Sequence, residues 1–525
     1  MPDGFNITGK INTMVANVRN ELSVFSSLAK LDMQAAAIPM KMREPMQLAI
    51  VGKISSSKST LVNAILGEAE VVRTGTMEET WNVSWLKYGD PQTPIIVHYK
   101  DTGLPSEKVD RSRWTEWANR KREGNRQLKN AVSYIEVAYP HPVLQQINII
   151  DTPGLDSFYG ADSQNTLDFL KHVKPDAVIM LFSKSINADT LSVIEDFRQG
   201  VGAGFSPVNA MGVMAKIDDI WASDPDMEPI TESKRIIDRL MSLEAVRNTL
   251  FNIYPVSAFT ALAGCRITET DLVTIQNLSR LPDDILSRIF KSEKRFVTDY
   301  EDVPVTAEQR AGLLSVYGRY GIWLVIRRLK ELPNDGIAGL KTLLCDKSGF
   351  KDFMGILEEH FCQQSVLIKV YGLALDFFNS LKTIEQSVEQ SQEKWVVGRI
   401  INETDKLIGE LTVQFNVMSI AKAYYEGKLD IEPEEFDELR RINGEFGYSC
   451  IERTGLNTNA TSDDMINVCR ERIGFWREQL NTTGYRFPSS ASFMKHILFL
   501  YSALYMDIVS AKYKLETSKK FLFGG

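Results

Sequence analysis

The sequence predicts an α/β domain with a mostly parallel sheet, set between long helical segments, and three observations carry that expectation. Short apolar runs ("LAIVG", "NVSWLKYG", "IIVHYK", "YIEVAY", "INIID", "AVIMLFS", "MGVMAKID", "IYPVSA") alternate with helical stretches. Parallel strands are covered on both faces, so they read as continuous hydrophobic runs of this kind. A strand-like run ending at Gly52 leads through a turn rich in Ser and Lys into the helical "STLVNAILG". From about Leu262 the alternation stops, and apolar residues recur at helical spacing almost to the last residue.

Taken in order, Ile11, Met14, Val15, Val18, Leu22, Phe25 and Leu28 predict one long amphipathic helix from Ile11 to Leu31, whose apolar stripe needs a partner. The expected organisation is an N-terminal helical segment over 1–45, an α/β domain over 46–365 with a helical insertion at about 262–345, and a helical region over 366–525. "AGLLSVYGRYGIWLVIRRLKEL" and "GFKDFMGILEEHF" read as amphipathic helices, and "RTGLNTNATSDD" and "NTTGYRFPSSAS" as turns. The insert from Asp101 to Asn130 is locally basic and reads as a solvated helix. The most apolar window, residues 496–511, is too short to span a bilayer and contains Asp507, so it reads as a buried helix.

Composition narrows the function. A net charge of −8 and a pI near 5.5 argue against broad nucleic-acid binding, which presents a basic face to phosphates. Cys265, Cys345, Cys362, Cys450 and Cys469 form no CxxC pair, so neither a zinc site nor a disulfide framework is expected, and a reducing cytoplasm is the simpler setting. The first residues are polar and mixed in charge, without the apolar centre of a signal peptide.

The chemistry sits at predicted strand ends. G-x-x-x-x-G-K-[ST] between a strand and a helix cradles phosphate with inward N–H groups, a Lys over the β/γ oxygens and a hydroxyl on Mg²⁺. Gly52, Lys58 and Ser59 fit, with Ser55, Ser56 and Thr60 in the same cradle, but Ser57 stands where the second Gly belongs. That Gly tolerates backbone angles that strain other residues. "INIIDTPG" places Asp151 at a strand end with Gly154 three residues on, the DxxG element of GTPases, whose carboxylate holds the Mg²⁺ shell and whose Gly N–H senses the γ-phosphate. "VMAKIDDI" fits [N/T]KxD through Lys216 and Asp218, with Ala215 in place of the first residue. An Asp there accepts from guanine N1 and N2, which adenine cannot offer. "YPVSAF" supplies Ser257 and Ala258 for a loop against the base, and Thr74, Thr76 and Thr80 compete as the Mg²⁺-binding switch Thr.

This constellation resembles the dynamin superfamily of large GTPases, most closely the bacterial dynamin-like proteins. Ser55 stands where dynamins keep a Ser in GxxSxGKS, and the loop runs on like the family's "STLINALLG". "RTGTMEETWNV" is similar to the family's switch and selects Thr80, "DTPGLDS" matches the family's extended form, and "SGFKDFMGILEEHF" is similar to a helix that closes the GTPase domain. The resemblance covers residues 47 to about 365 and implies a GTPase head, a neck and a helical trunk. It implies GTP/GDP and Mg²⁺ as ligands, with a monovalent cation in the transition state. Ser55, Lys58 and Thr80 would act in catalysis and Ser59, Thr80 and Asp151 on the metal. It further implies self-association through the heads, a companion dynamin-like chain, and peripheral contact with the inner membrane from a cytoplasmic protein; read from the residues themselves, the candidate contact segments are 415–425 and the "KKFLFGG" tail, where Lys519, Lys520, Phe521 and Phe523 combine charge and aromatic groups.

Three departures, Ser57, Ala215 and Ile54 (where eukaryotic dynamins have a water-orienting Gln), sustain an alternative: a catalytically weak nucleotide-binding scaffold acting through a partner protein.

Overall fold

The structure, a computed structural model, describes residues 7–52, 57–68, 71–72, 82–100, 103–114, 117, 131–153, 173–182, 208–221, 224, 227–241, 243–247, 249–425, 429, 431–444, 446–447, 449–482 and 488–523. The chain divides into two compact units, Met33–Phe377 and Met1–Asp32 with Phe378–Gly525.

The first unit is built on a sheet whose described strands are β1 (Met46–Gly52), β2 (Val83–Tyr88), β3 (Ile95–Tyr99), β4 (Glu107–Val109), β5 (Val132–Tyr139), β6 (Ile147–Asp151), β7 (Ala177–Phe182), β8 (Ala210–Ala215) and β9 (Ile253–Val256). Their spatial order is β4-β3-β5-β2-β6-β1-β7-β8-β9. The continuous apolar runs form the parallel centre: β1 pairs with β6 and β7, β7 with β8, and β8 with β9, all parallel. Every residue of β6, β7 and β8 is buried, as strands covered on both faces must be. β2 joins this centre to an outer part, parallel to β5 but antiparallel to β6, and β3 runs antiparallel to β4 and β5. The carboxyl ends of β1, β6, β8 and β9 therefore lie along one edge, where open α/β sheets place ligands.

Three expectations need correction. The Asp101–Asn130 insert opens not as a helix but as strand β4, Ile95 opposite Val109, followed by a short 3₁₀ turn at Arg111–Arg113; residues 118–130 lie outside the described set. The single helix expected from Ile11 to Leu31 is two, Ile7–Leu22 and Ala29–Lys41, parted by extended backbone at Phe25 and a 3₁₀ turn at Ser26–Leu28. The helix Ala307–Glu331 is bent at Gly318, whose φ of 63° and ψ of 169° are not helical.

In the second unit the stripe Ile11, Val15, Val18 and Leu22 is buried, and its helix meets the helix Ser391–Tyr425 through the ion pairs Lys10–Glu410 and Arg399–Glu21, while the 3₁₀ turn that follows adds a 2.7 Å hydrogen bond from Ser27 to Glu393. The helices Pro433–Ile442, Ser462–Thr482 and Pro488–Phe523 close on Leu439, Trp476, Phe493, Ile497 and Tyr501. Inside, the Glu438 carboxylate accepts from Arg472 Nε at 2.6 Å and from Trp476 Nε1 at 3.2 Å. Val417 and Ile420, in one segment considered for membrane contact, are buried. Among the described residues no helix is long and apolar enough to cross a membrane.

His496 sits in this core with Nε2 sealed and without a partner among the described residues, and burial pushes its pKa from 6.5 to about 4. Between those values the unfolded chain takes up a proton that the folded chain refuses, so stability rises with pH across that window. The imidazole thus costs the fold up to about 3 kcal/mol at pH 4 and little at pH 7. His496→Phe is expected to flatten the acid limb of the melting temperature between pH 7 and 4.5; an unaltered slope would place the proton uptake elsewhere.

Candidate functional site

At the end of β1, residues 53–56, with Ser55, Ser56 and Ile54, lie outside the described set; the chain re-enters at Ser57 and forms the helix Lys58–Ile65. Ser57 has φ 67° and ψ 29°, the left-handed region. That is the conformation for which this position ordinarily carries Gly, and it costs an L-residue on the order of 1–2 kcal/mol. Among the described residues only Ser57, Lys174 and Lys216 combine a side chain with positive φ, and two of them belong to the expected nucleotide site. Strain of this kind concentrates at functional sites.

Because Ser57 already holds this conformation, Ser57→Gly is expected to act on stability rather than affinity. A gain of about 1 kcal/mol, read as a melting rise of about 2–4 °C, should accompany a GTP affinity altered less than about threefold. Calorimetric melting and titration side by side check it, and a large gain in affinity would show that the loop changes conformation on binding.

Lys58 lies in the first turn, only 7% exposed, and its Nζ donates to the Gly52 carbonyl at 3.0 Å. The backbone thus folds the ammonium over the mouth of the loop, beside the positive end of the helix. Ser59 Oγ donates to Asp151 Oδ2 at 2.8 Å, joining the helix to the end of β6, and Thr152 Oγ1 donates to the Ile50 carbonyl at 2.8 Å, joining β6 to β1. Thr60 follows, half-buried. Asp151 is fully buried, and its Oδ1 is sealed with no hydrogen-bond partner among the described residues. Burial pushes its carboxyl up to about 6, against the pull of the Lys58 charge and the Ser59 hydroxyl. Thr74, Thr76, Thr80 and Gly154 lie outside the described residues.

Further along the same edge, β8 ends at buried Ala215, and Lys216 (φ 57°, ψ 41°) turns the chain into the 3₁₀ segment Ile217–Ile220. Asp218 Oδ1 is sealed and without a partner among the described residues. Burial pushes this carboxyl upward, while the Ser257 hydroxyl beside it pulls it back. The structure therefore brings Asp218 and Ser257 together, and Ser59 with Asp151.

Two residues that sequence reasoning left out hold the Ser257 loop. Its N–H donates to the Ser348 carbonyl at 2.8 Å, and its Oγ accepts from the Thr260 N–H at 3.1 Å, capping the helix Ala258–Arg266. Gly349, next in the chain, lies so close to β9 that a Cβ on it would stand 2.2 Å from the Pro255 carbonyl oxygen. The signal was the Ser-Gly pair heading "SGFKDF", visible in the sequence but without a stated contact.

Residues 48–199 match the profile of the dynamin family. The isoniazid-induced protein IniC of Mycobacterium tuberculosis is 25% identical over 452 residues, 85% of this chain and 87% of IniC. Dynamin-like protein 2 of Campylobacter jejuni is 28% identical over 155 residues, 29% of this chain and 24% of its own. A solved structure from an oligomerised bacterial dynamin pair, reported to sense and tether membranes, aligns over 97% of this chain and 78% of its own at 14% identity, with a TM-score of 0.30. The family match spans β1 with its phosphate loop, β6 with Asp151, and β7, in the order the motifs require, so this part of the chain is similar to the dynamin family and to its bacterial members.

Proposed function

We propose that this chain binds GTP and GDP with Mg²⁺ and hydrolyses GTP. In this reading, nucleotide-dependent pairing of the heads is coupled to rearrangement of the helical region in membrane remodelling or membrane-associated assembly. One observation carries the nucleotide reading: two buried carboxylate oxygens on the same sheet edge, Asp151 Oδ1 and Asp218 Oδ1, have no donor among the described residues. Buried acceptors are rarely left so, because an unmade hydrogen bond there costs about 1–3 kcal/mol. Guanine would supply N1–H and N2–H to Asp218, and the hydrated cation would supply donors and charge to Asp151, so these residues fit both groups.

In this reading Gly52, Ser55, Ser56, Ser57, Lys58, Ser59 and Thr60 wrap the phosphates, with Lys58 neutralising the β/γ oxygens. Ser59 and Thr80 would hold the metal, Ser59 by giving up its hydrogen bond to Asp151, and Asp151 would stand in the outer shell. Gly154 senses the γ-phosphate, the Lys216 stem covers the base plane, and Ser257 steadies Asp218. Mg²⁺ supplies neutralisation of the charge that develops on the phosphates. Ser55 faces the leaving oxygen, and Thr80 holds the attacking water through its backbone. No protein nucleophile is needed, because such reactions run on positioning and charge stabilisation. The partners proposed with it are a second head, a companion dynamin-like chain and a peripheral membrane surface reached from the cytoplasm.

Ala215, which has no side chain to hydrogen-bond, favours the second reading of a scaffold that binds without turning over. Titration with GTP, GDP and ATP in Mg²⁺, followed by phosphate release against protein concentration, separates the two. Saturable binding that prefers GTP over ATP by about a hundredfold or more is expected, with turnover per chain rising with concentration. Equal affinity for ATP would overturn the guanine assignment, and binding without phosphate release would leave the scaffold.

A further inference from the structure

A helix that buries one face in a core ordinarily shows water a polar face on the other side. The helix Pro488–Phe523 does not. Its inner side carries Ile497, Leu500, Tyr501, Leu504 and Ile508, all buried. On the opposite side Phe499, Met506 and Tyr513 recur every seven residues and are 54%, 64% and 70% exposed. Between them, four residues on in each case, stand the small residues Ala503, Ser510 and Thr517, also exposed. Steps of four and three make a straight seam for another helix. Thr517 already donates its hydroxyl to the Tyr513 carbonyl at 2.8 Å, so covering it leaves no donor unmet.

We infer that this seam is a self-association surface, and that its occupant is the same helix of a second copy, running antiparallel about a twofold axis near Ile508. The pattern of sizes selects that arrangement. With the helix reversed on itself about Ile508, Phe499 meets Thr517, Tyr513 meets Ala503 and Met506 meets Ser510, so every large side chain faces a small one. Parallel pairing sets large against large and small against small at each level, which leaves alternating clashes and gaps. A patch that complements itself under a twofold is what a closed dimer requires. The three large side chains offer about 400 Å² per copy, and with the small residues about 1,000 Å² is buried over both copies, the lower edge for specific pairing. The dimer is therefore weak and reversible. It uses no residue of the nucleotide site, so it stands whether or not the chain binds GTP.

Sedimentation velocity of the full chain without nucleotide, from micromolar to submillimolar concentration, is the test. A monomer–dimer equilibrium is expected. Met506→Glu should weaken it by at least about tenfold without lowering the melting temperature, and Lys58→Ala should leave it unchanged. In a Cys265→Ser background, mixing Phe499→Cys with Thr517→Cys should give a dimer on treatment with a short bis-maleimide that neither variant gives alone, because in the antiparallel pair like positions stand about 27 Å apart along the axis. The inference is overturned by a monomer throughout, by a dimer indifferent to Met506→Glu, or by cross-linking of Phe499→Cys alone, which signifies parallel pairing. It is equally overturned if a monomeric chain binds phosphatidylglycerol vesicles and Met506→Glu abolishes that binding, because the seam is then a lipid surface.

Discussion

Lys58→Ala is expected to lower GTP and GDP affinity by about a hundredfold or more and to bring turnover to background. The ammonium is held at the loop mouth by the Gly52 carbonyl, 3.0 Å away, and is almost wholly buried, so a nucleotide arriving there finds it already in place. Charge-assisted hydrogen bonds to phosphate are roughly twice as strong as neutral ones, and losing two is worth about 3 kcal/mol. A second effect adds to this. The Lys58 charge offsets the cost of burying ionised Asp151, whose carboxyl stands at about 6 even with that help. Removing the charge raises it further in the free protein, so ionised Asp151 becomes costlier to hold buried. Because the alanine substitution also removes the buried stem, Lys58→Met, which keeps the bulk of the stem and loses the charge and its N–H donors, is the companion variant. Titration calorimetry with GTP on both, checked by melting curves, gives the result. A folded Lys58→Met chain that binds GTP as the parent does would mean that the loop does not cradle phosphate.

The parts legible in the sequence are those in which one residue type answers a local demand. The all-apolar "INIID" and "AVIMLF" became β6 and β7 because only a strand covered on both faces accepts such runs. β4 was missed because Glu107 and Lys108 carry no apolar signal, and its place is set by pairing with β3. The break at Phe25 was invisible because the apolar spacing runs through it, although the backbone does not. The window at residues 496–511 reads as buried, yet only one side of it is: spacing identifies an apolar stripe but not whether anything covers it. At the candidate site, Ser59 with Asp151 and Asp218 with Ser257 were placed by motif and found together. The Ser348 contact to the Ser257 loop joins positions far apart in the chain and had no local signature. Ser55, Ser56, Thr80 and Gly154 remain placed by motif alone.

Gly349→Ala is expected to cost about 3–5 kcal/mol of stability in the sheet unit and, where the protein still folds, to erase the preference for guanine while sparing binding of the phosphates. Two independent costs meet at this residue. Its φ of 70° lies in the left-handed region, where a Cβ is strained by about 1 kcal/mol or more. The added methyl would also stand 2.2 Å from the Pro255 carbonyl oxygen, a backbone atom that cannot swing aside as a side-chain tip can. Either β9 or the start of the helix Phe350–Ile356 must then move. Motion on that side carries Ser348 away from the Ser257 N–H, and with it the support for Asp218, while Gly52 and Asp151 end strands farther along the sheet and Lys58 opens the helix that follows β1. Gly355→Ala is the internal control. It lies in the same short helix with nothing within 4 Å of its added Cβ, so it should be neutral or stabilising by about 0.5–1 kcal/mol. Denaturant melts and GTP-versus-ATP competition on both variants read the two effects separately. Should Gly349→Ala melt with the parent and keep its guanine preference, the contact with β9 would have no part in holding the base loop.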